Sequence, residues 1–272
     1  MIGQFLKTGD ESLCADGAAF AVSARVICSP VAGVQYEELL KLDDVADAWN
    51  LVYHSYLRRE LIDPNRLELH TVPQAVTPYA IVVLGRIHGE CTSTLTAMLD
   101  SEHDLPLQSV YDDELNQLRK QGRRLAEVGL LADRREHFAR TASALFDLMR
   151  FGVLAALHCG ADDLIIGVHP HHAKFYNRFL GFEQFGDLKA YPTVRNNPVV
   201  GMRLDLHRKL SLSPLPRGLK YCQTHPVPAH MFVRWTEYND PAAIARSDIG
   251  AFLDWKASAP LPRLDTGETH AA

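Results

Sequence analysis

Phe20, Val22, Ala24, Val26 and Cys28 recur at every second position, which predicts a half-buried strand closed by Pro30. The period then lengthens. Leu39, Leu42, Val45, Ala46, Trp49, Val52, Tyr53, Tyr56 and Leu57 return every three or four residues, so a helix with one apolar stripe is expected to about Leu61, where Asp63-Pro64 ends it. Tyr79 to Ile87 is a nearly unbroken apolar run. His88-Gly89-Glu90 turns it into the Thr-rich stretch Cys91 to Leu99, and the two together predict a β-hairpin. A short helix is expected over Asp112 to Lys120, with Arg119 and Lys120 in its last turn and Gly122 as its cap.

A strand from about Arg124 (RRLAEVGLLAD), a helix from about Arg134 to Cys159 and the apolar strand DLIIGV follow in the order of a βαβ unit. Asp133-x-x-Glu136 is a capping box for that helix and Gly160 its stop. Phe138, Ala142, Leu145, Met149, Val153 and Ala156 form its stripe. Leu164 to Val168 is apolar on both faces, as a central parallel strand should be. Another short helix, His171 to Leu180 capped by Gly181, leads to strands near Phe182 and at Val199 to Leu206. The expected class is α/β (α+β): a mixed, mostly antiparallel twisted sheet with a central βαβ unit and flanking helices.

Outside this body, residues 1–17 lack periodicity and read as a loose arm, leaving 18–206 as the domain. Of the 15 prolines, 7 fall in the last 66 residues, a density that opposes another packed sheet. Residues 207–272 therefore read as a wrap or tail. One helix is expected in it, N-capped by Asp240 with Pro241 at N1 and carrying Ile244, Ile249, Phe252 and Leu253.

Composition narrows the function classes. With 28 Lys plus Arg against 33 Asp plus Glu the net charge is -5, so no overall basic field favours nucleic acid. No apolar stretch approaches a membrane span, and the first residues lack the basic-then-apolar order of a secretory signal; a cytoplasmic protein is expected. Five cysteines, scattered and never in a CxxC pair, argue for reduced thiols.

Two motifs carry candidate chemistry. Leu125, Glu127, Gly129 and Leu131 share one strand face by alternation, so a carboxylate lies among apolar groups beside a gap. In a sheet centre such a carboxyl loses hydration, its pKa rises, and it becomes fit to take a proton near neutrality; on an edge strand it would merely be solvated. The second motif is HPHHAKFYNRFLGF, residues 169–182. His169, His171 and His172 do not converge readily on one ion across Pro170, so no metal is expected. The Phe-Tyr pair followed by Gly-Phe instead places aromatics on a helix with a glycine cap.

Strand, helix, strand and FYNRFLGF together resemble the GCN5-related N-acetyltransferase (GNAT) superfamily. In coenzyme A users the turn after the first of those strands carries a glycine-rich pyrophosphate loop, whereas ADRREHFARTA has no glycine. This departure points to a donor that presents only a phosphopantetheine arm. The segments DLPLQSVYDDELNQLR, GRRLAEVGLLA and HPHHAKFYNRFLGF are similar to the N-acyl amino acid synthases of the FeeM type, relatives of the acyl-homoserine lactone synthases, from about Tyr36 to Leu206. Lactone synthases carry Glu-x-Ser-Arg where this chain has Glu127-Val128-Gly129-Leu130, so lactone production is disfavoured.

The resemblance implies transfer of a fatty acyl group from acyl carrier protein to the α-amino group of an amino acid, with no permanently bound cofactor. Acyl-coenzyme A-dependent acylation of a small amine and a non-catalytic carrier-binding module are the alternatives. Glu127 is then the expected base, the backbone N–H groups of Val128, Gly129 and Leu130 the carbonyl ligands, and Tyr176 the acid for the leaving sulfur, or plain core. Arg58 and Arg59 are candidates for the acceptor's carboxylate. Arg119, Lys120, Arg123 and Arg124 are candidates for carrier docking, with the acid-free run 206–225 as a rival. Phe138, Leu145, Phe151 and Phe175 are candidates for an acyl slot, or ordinary core.

Overall fold

In the computed structural model the described residues are 26–29, 33–134 and 143–258. The arm, the start of the first strand, the Glu136 half of the capping box, Phe138 and Ala142 lie outside them. Two short strands, β1 (Val26–Cys28) and β2 (Gln35–Glu37), precede α1 (Leu42–Arg58). The hairpin β3 (Ala80–Ile87) and β4 (Glu90–Leu99) turns at His88 and Gly89, both at positive φ, the geometry that suits the twist of paired strands. Then come α2 (Gln108–Lys120), β5 (Leu125–Asp133), α3 (Ser143–His158), β6 (Asp163–Val168) and α4 (Pro170–Leu180). β7 (Glu183–Gln184), β8 (Lys189–Tyr191) and β9 (Asn197–Asp205) complete the strands. α5 (Leu206–Leu210), α6 (Arg217–Thr224), α7 (Pro241–Arg246) and α8 (Asp248–Ser258) follow.

The strands lie in the order β1-β2-β3-β4-β5-β6-β9-β7, with β8 on β9. Among the described residues every pairing is antiparallel except β5 with β6, the two strands that α3 connects. The expected mixed sheet with a central βαβ unit is therefore present. α2 begins four residues before its expected start, with a break from helical geometry at Tyr111. Strands β2 and β8 were not expected, because three residues give too little periodicity to read.

Both faces of the sheet are covered, which explains the unbroken apolar run of β3. Ala80, Val82 and Leu84 pack with α1 through Val45, Ala48, Trp49 and Val52, while Ile81 and Val83 pack under α3. The last 50 or so described residues are built into these same cores. Trp235, fully buried, donates from Nε1 to the Ala75 carbonyl at 3.2 Å and meets Trp49 edge-on at 5.7 Å between ring centroids. Ile249 and Phe252 join it, and Leu219 and Cys222 of α6 enter the opposite core. Of the wrap or tail expected, the described part is a wrap: it forms no strand, and short helices bury its apolar residues. Asp240 caps α7 as expected, but Ser247 divides the expected helix in two. No helix among the described residues is long and apolar enough to cross a membrane.

Candidate active site

One irregularity of the sheet makes the site. β5 pairs with β6 only at Leu125↔Asp163, Ala126↔Leu164 and Glu127↔Ile165; beyond that point both strands continue without pairing to each other. On its other edge β5 carries a bulge, because Thr96 faces Gly129 but Thr94 faces Ala132. The extra residue is accommodated with Leu130 at φ 49°, a conformation that a branched side chain adopts only at a cost of order 1 kcal/mol. Parity flips there: Ala126 and Val128 lie in the core under α3, whereas Leu130 and Ala132 lie in the core under α1. Leu131 consequently faces away from Glu127, which corrects the single face read by simple alternation.

Glu127 lies where the strands part. It is 3% exposed, and its Oε2 accepts a hydrogen bond from the Leu107 backbone N–H at 2.9 Å. Burial pushes its carboxyl up to about 8, the Leu107 N–H opposes the rise, and the Asp100 charge adds to it. The carboxyl opens on a cavity of about 80 Å³ also lined by Val128, Gly129 and Leu130, the residues expected to present backbone N–H groups. A side chain at Gly129 would press on Met98 and reach toward Glu127, with its Cβ 3.3 Å from Met98 Cε and 4.0 Å from Glu127 Oε1.

Tyr176 lines a second cavity, of about 380 Å³. Its helix begins at His169, whose Nδ1 accepts from the His171 N–H at 3.3 Å, so that one member of the histidine cluster serves as the helix cap. Burial raises the Tyr176 hydroxyl to about 12, and Tyr56 and Asp133 add to the rise against Arg59. The two cavities share a wall made by Tyr56, Gly167, Tyr191 and Val194. Tyr56, raised to about 12 by burial, feels both Arg59 and the Glu127 charge. The phenol of Tyr191 is raised by burial and by Glu127 and Tyr56.

Sequence reading missed these two tyrosines. Tyr56 stands on the apolar stripe of α1 and looks like core. Tyr191 has no pattern around it. His70 was missed as well: it lines the smaller cavity, its ring 5.1 Å from Tyr56, and burial lowers it to about 3, so it is neutral.

The remaining candidates divide. Arg59 lines the Tyr176 cavity and pairs with Asp133 at 3.8 Å, whereas Arg58 borders a different surface pocket with His54 and Arg134. Arg119 is bound to Asp100 at 2.6 Å, Arg123 to Asp163 at 2.6 Å and to Asp205 at 3.1 Å, and Arg124 to Asp162 at 3.2 Å. These arginines tie α2 and β5 to neighbouring carboxylates, leaving Lys120 and the outer part of Arg124 exposed. Phe151 is core, tilted on Tyr36 at 4.4 Å, and Phe175 stacks with Phe146 and Phe179. Neither these two nor Leu145 lines the two cavities just described.

A mostly antiparallel sheet whose one parallel pair opens over a buried carboxyl is the frame of a GNAT-like acyltransferase, and that is the class of this enzyme. More narrowly, the family model for N-acyl amino acid synthase FeeM matches residues 47–205, more than half of the chain, and the chain belongs to that family. The solved structure of FeeM, an N-acyl amino acid synthase from uncultured soil microbes, is 26% identical with a TM-score of 0.57, over 64% of this chain and 90% of that one. An acyl-CoA N-acyltransferase from Pseudomonas aeruginosa (14% identity, TM-score 0.42, 62% and 97% covered) also aligns. So does the AHL synthase LasI (14%, 0.48, 64% and 88%). No curated protein matches the chain.

Proposed function

We propose that the enzyme joins a fatty acyl group, delivered as the phosphopantetheine thioester of acyl carrier protein, to the α-amino group of an amino acid. The observation that carries this reading is Glu127, buried at the opening of the sheet with its carboxyl raised to about 8. A free α-amino group titrates near the same value, about 7.7–8.0, so proton transfer between the two is close to balanced.

The ammonium gives one proton to Glu127, and the neutral nitrogen attacks the thioester carbonyl. Backbone N–H groups of Val128 to Leu130, on the strand released from β6, stabilise the oxyanion. Collapse breaks the carbon–sulfur bond; Tyr176 supplies a proton to the leaving thiolate and regains the nitrogen's second proton, and Glu127 releases the first to solvent. The products are an amide, a thiol and one released proton. Arg59, on the rim of the larger cavity, is the candidate for the acceptor's carboxylate.

Incubating the purified enzyme with acyl carrier protein charged with a long-chain acyl group and a mixture of amino acids, followed by mass spectrometry, tests this. An N-acyl amino acid is expected. Folded enzyme that forms none from the carrier-bound donor, or acylates only other amines from acyl-coenzyme A, refutes it.

A further inference from the structure

α4, which carries Tyr176, and α6 pack against each other and expose an excess of positive charge. α4 and α6 touch closely: a Cβ at Gly218 would lie 2.5 Å from Leu180 Cδ2 and 2.7 Å from Phe179 Cε1, so only glycine lets the two approach this far. α4 buries Tyr176 and Leu180 and exposes Lys174 and Arg178, one turn apart on the same face. α6 buries Gly218, Leu219 and Cys222 and exposes Arg217 and Lys220.

Residues 169–182 and 206–228 hold six Lys or Arg and no Asp or Glu, in a chain whose net charge is -5. Arg208 and Lys209 are neutralised by Glu183. The other four make no ion pair among the described residues. This differs from residues 119–124, whose arginines are held by Asp100, Asp162, Asp163 and Asp205. The four cations are spread across two helices and do not converge on a pocket, which suits an acidic protein surface better than a single phosphate. The helix that bears two of them also carries Tyr176 and His172 into the larger cavity.

We propose that the α4–α6 face, through Lys174, Arg178, Arg217 and Lys220, is the docking surface for acyl carrier protein, placing its acylated arm at the cavity that Tyr176 lines. This rests on the carrier-fed reading above. Half of the surface, α6, lies beyond residues 47–205 that the family model covers, so the choice of carrier is written partly in this chain's own extension.

The test compares the full-length enzyme with the double variants K174E/R178E and R217E/K220E, using two donors with the same acyl group: acyl carrier protein and free acyl-pantetheine. Each variant is expected to raise KM for the carrier-bound donor about tenfold or more, with KM for acyl-pantetheine and the melting temperature unchanged. Added salt should reproduce the effect in the wild type and have little effect in the variants. An unmoved KM for the carrier-bound donor, or an equal loss with both donors, overturns the docking face alone. A wild type that turns over acyl-pantetheine but not the carrier-bound donor overturns the carrier-fed reading and the face with it.

Discussion

The backbone N–H of Leu107 donates to Glu127 Oε2 at 2.9 Å, joining the start of α2 to the strand that opens the sheet. The N–H groups at a helix start have no intrahelical partner, and the helix dipole there favours a carboxylate. One such bond offsets part of the cost of burial and not all of it. The carboxyl therefore stays protonated to about 8, rather than ionised as in an ordinary salt bridge. β6 braces this contact, since a Cβ at Gly167 would come 2.7 Å from Leu107 Cδ2.

The rate should follow that ionisation. If Glu127 must be a carboxylate to accept the proton, its active fraction climbs from about a tenth at pH 7 to about nine-tenths at pH 9, and kcat at saturating substrates should rise roughly tenfold over that range. Glu127→Gln should lower kcat by about 10²–10⁴ and flatten the profile. A Gln variant that kept both the rate and the limb would show that the limb belongs to the substrate amine and that Glu127 is not the base.

Stability should move the opposite way with pH. The folded state keeps the Glu127 proton up to about 8, whereas the unfolded chain releases it near the model-peptide value of about 4.3, so unfolding releases a proton between those limits. The folded state binds more protons in that window, and stability contributed by this group falls as pH rises through it. Glu127→Gln should therefore melt higher than the wild type at pH 9 and close to it at pH 4, as followed by calorimetry. Equal melting temperatures at pH 9 would mean that the carboxyl is better solvated than its 3% exposure indicates.

Trp235 tests whether the C-terminal segment belongs to the body. Its indole is fully buried against Trp49 and bonded to the Ala75 carbonyl, so Trp235→Ala should cost about 3–5 kcal/mol in urea unfolding. A detachable tail would lose less than about 0.5 kcal/mol, the range of ordinary surface changes.

Much of the architecture was legible along the chain because its signals are local. The period of three to four residues in α1, the apolar run with its turn at His88-Gly89, and the capped helices ending at Gly160 and Gly181 each report on their own neighbours. The fold class and the placement of Glu127 on a central strand followed from such signals, whereas the candidacy of Tyr176 came from the family resemblance. The ion pairing of the cationic run 119–124 was not legible for the same reason. Its residues are adjacent in sequence, but the carboxylates that neutralise Arg123 and Arg124 come from Asp162, Asp163 and Asp205, about 40 residues or more away.

The sequence by itself determined the long helices and strands, their order around the βαβ unit, and that a carboxylate lies on the unit's first strand and a tyrosine on the helix that follows its second. Only the tertiary structure decided what surrounds those groups. The β5 bulge at Leu130 breaks the period-two rule, so which face a residue takes depends on pairing with β4. Tyr56, His70 and Tyr191 gather beside Glu127 from three separate segments because the sheet opens there, and Trp235 joins the core under α1 from far along the chain. The raised proton affinity of Glu127 is likewise a property of that enclosure, because desolvation depends on every element packed around a group and on none of them singly.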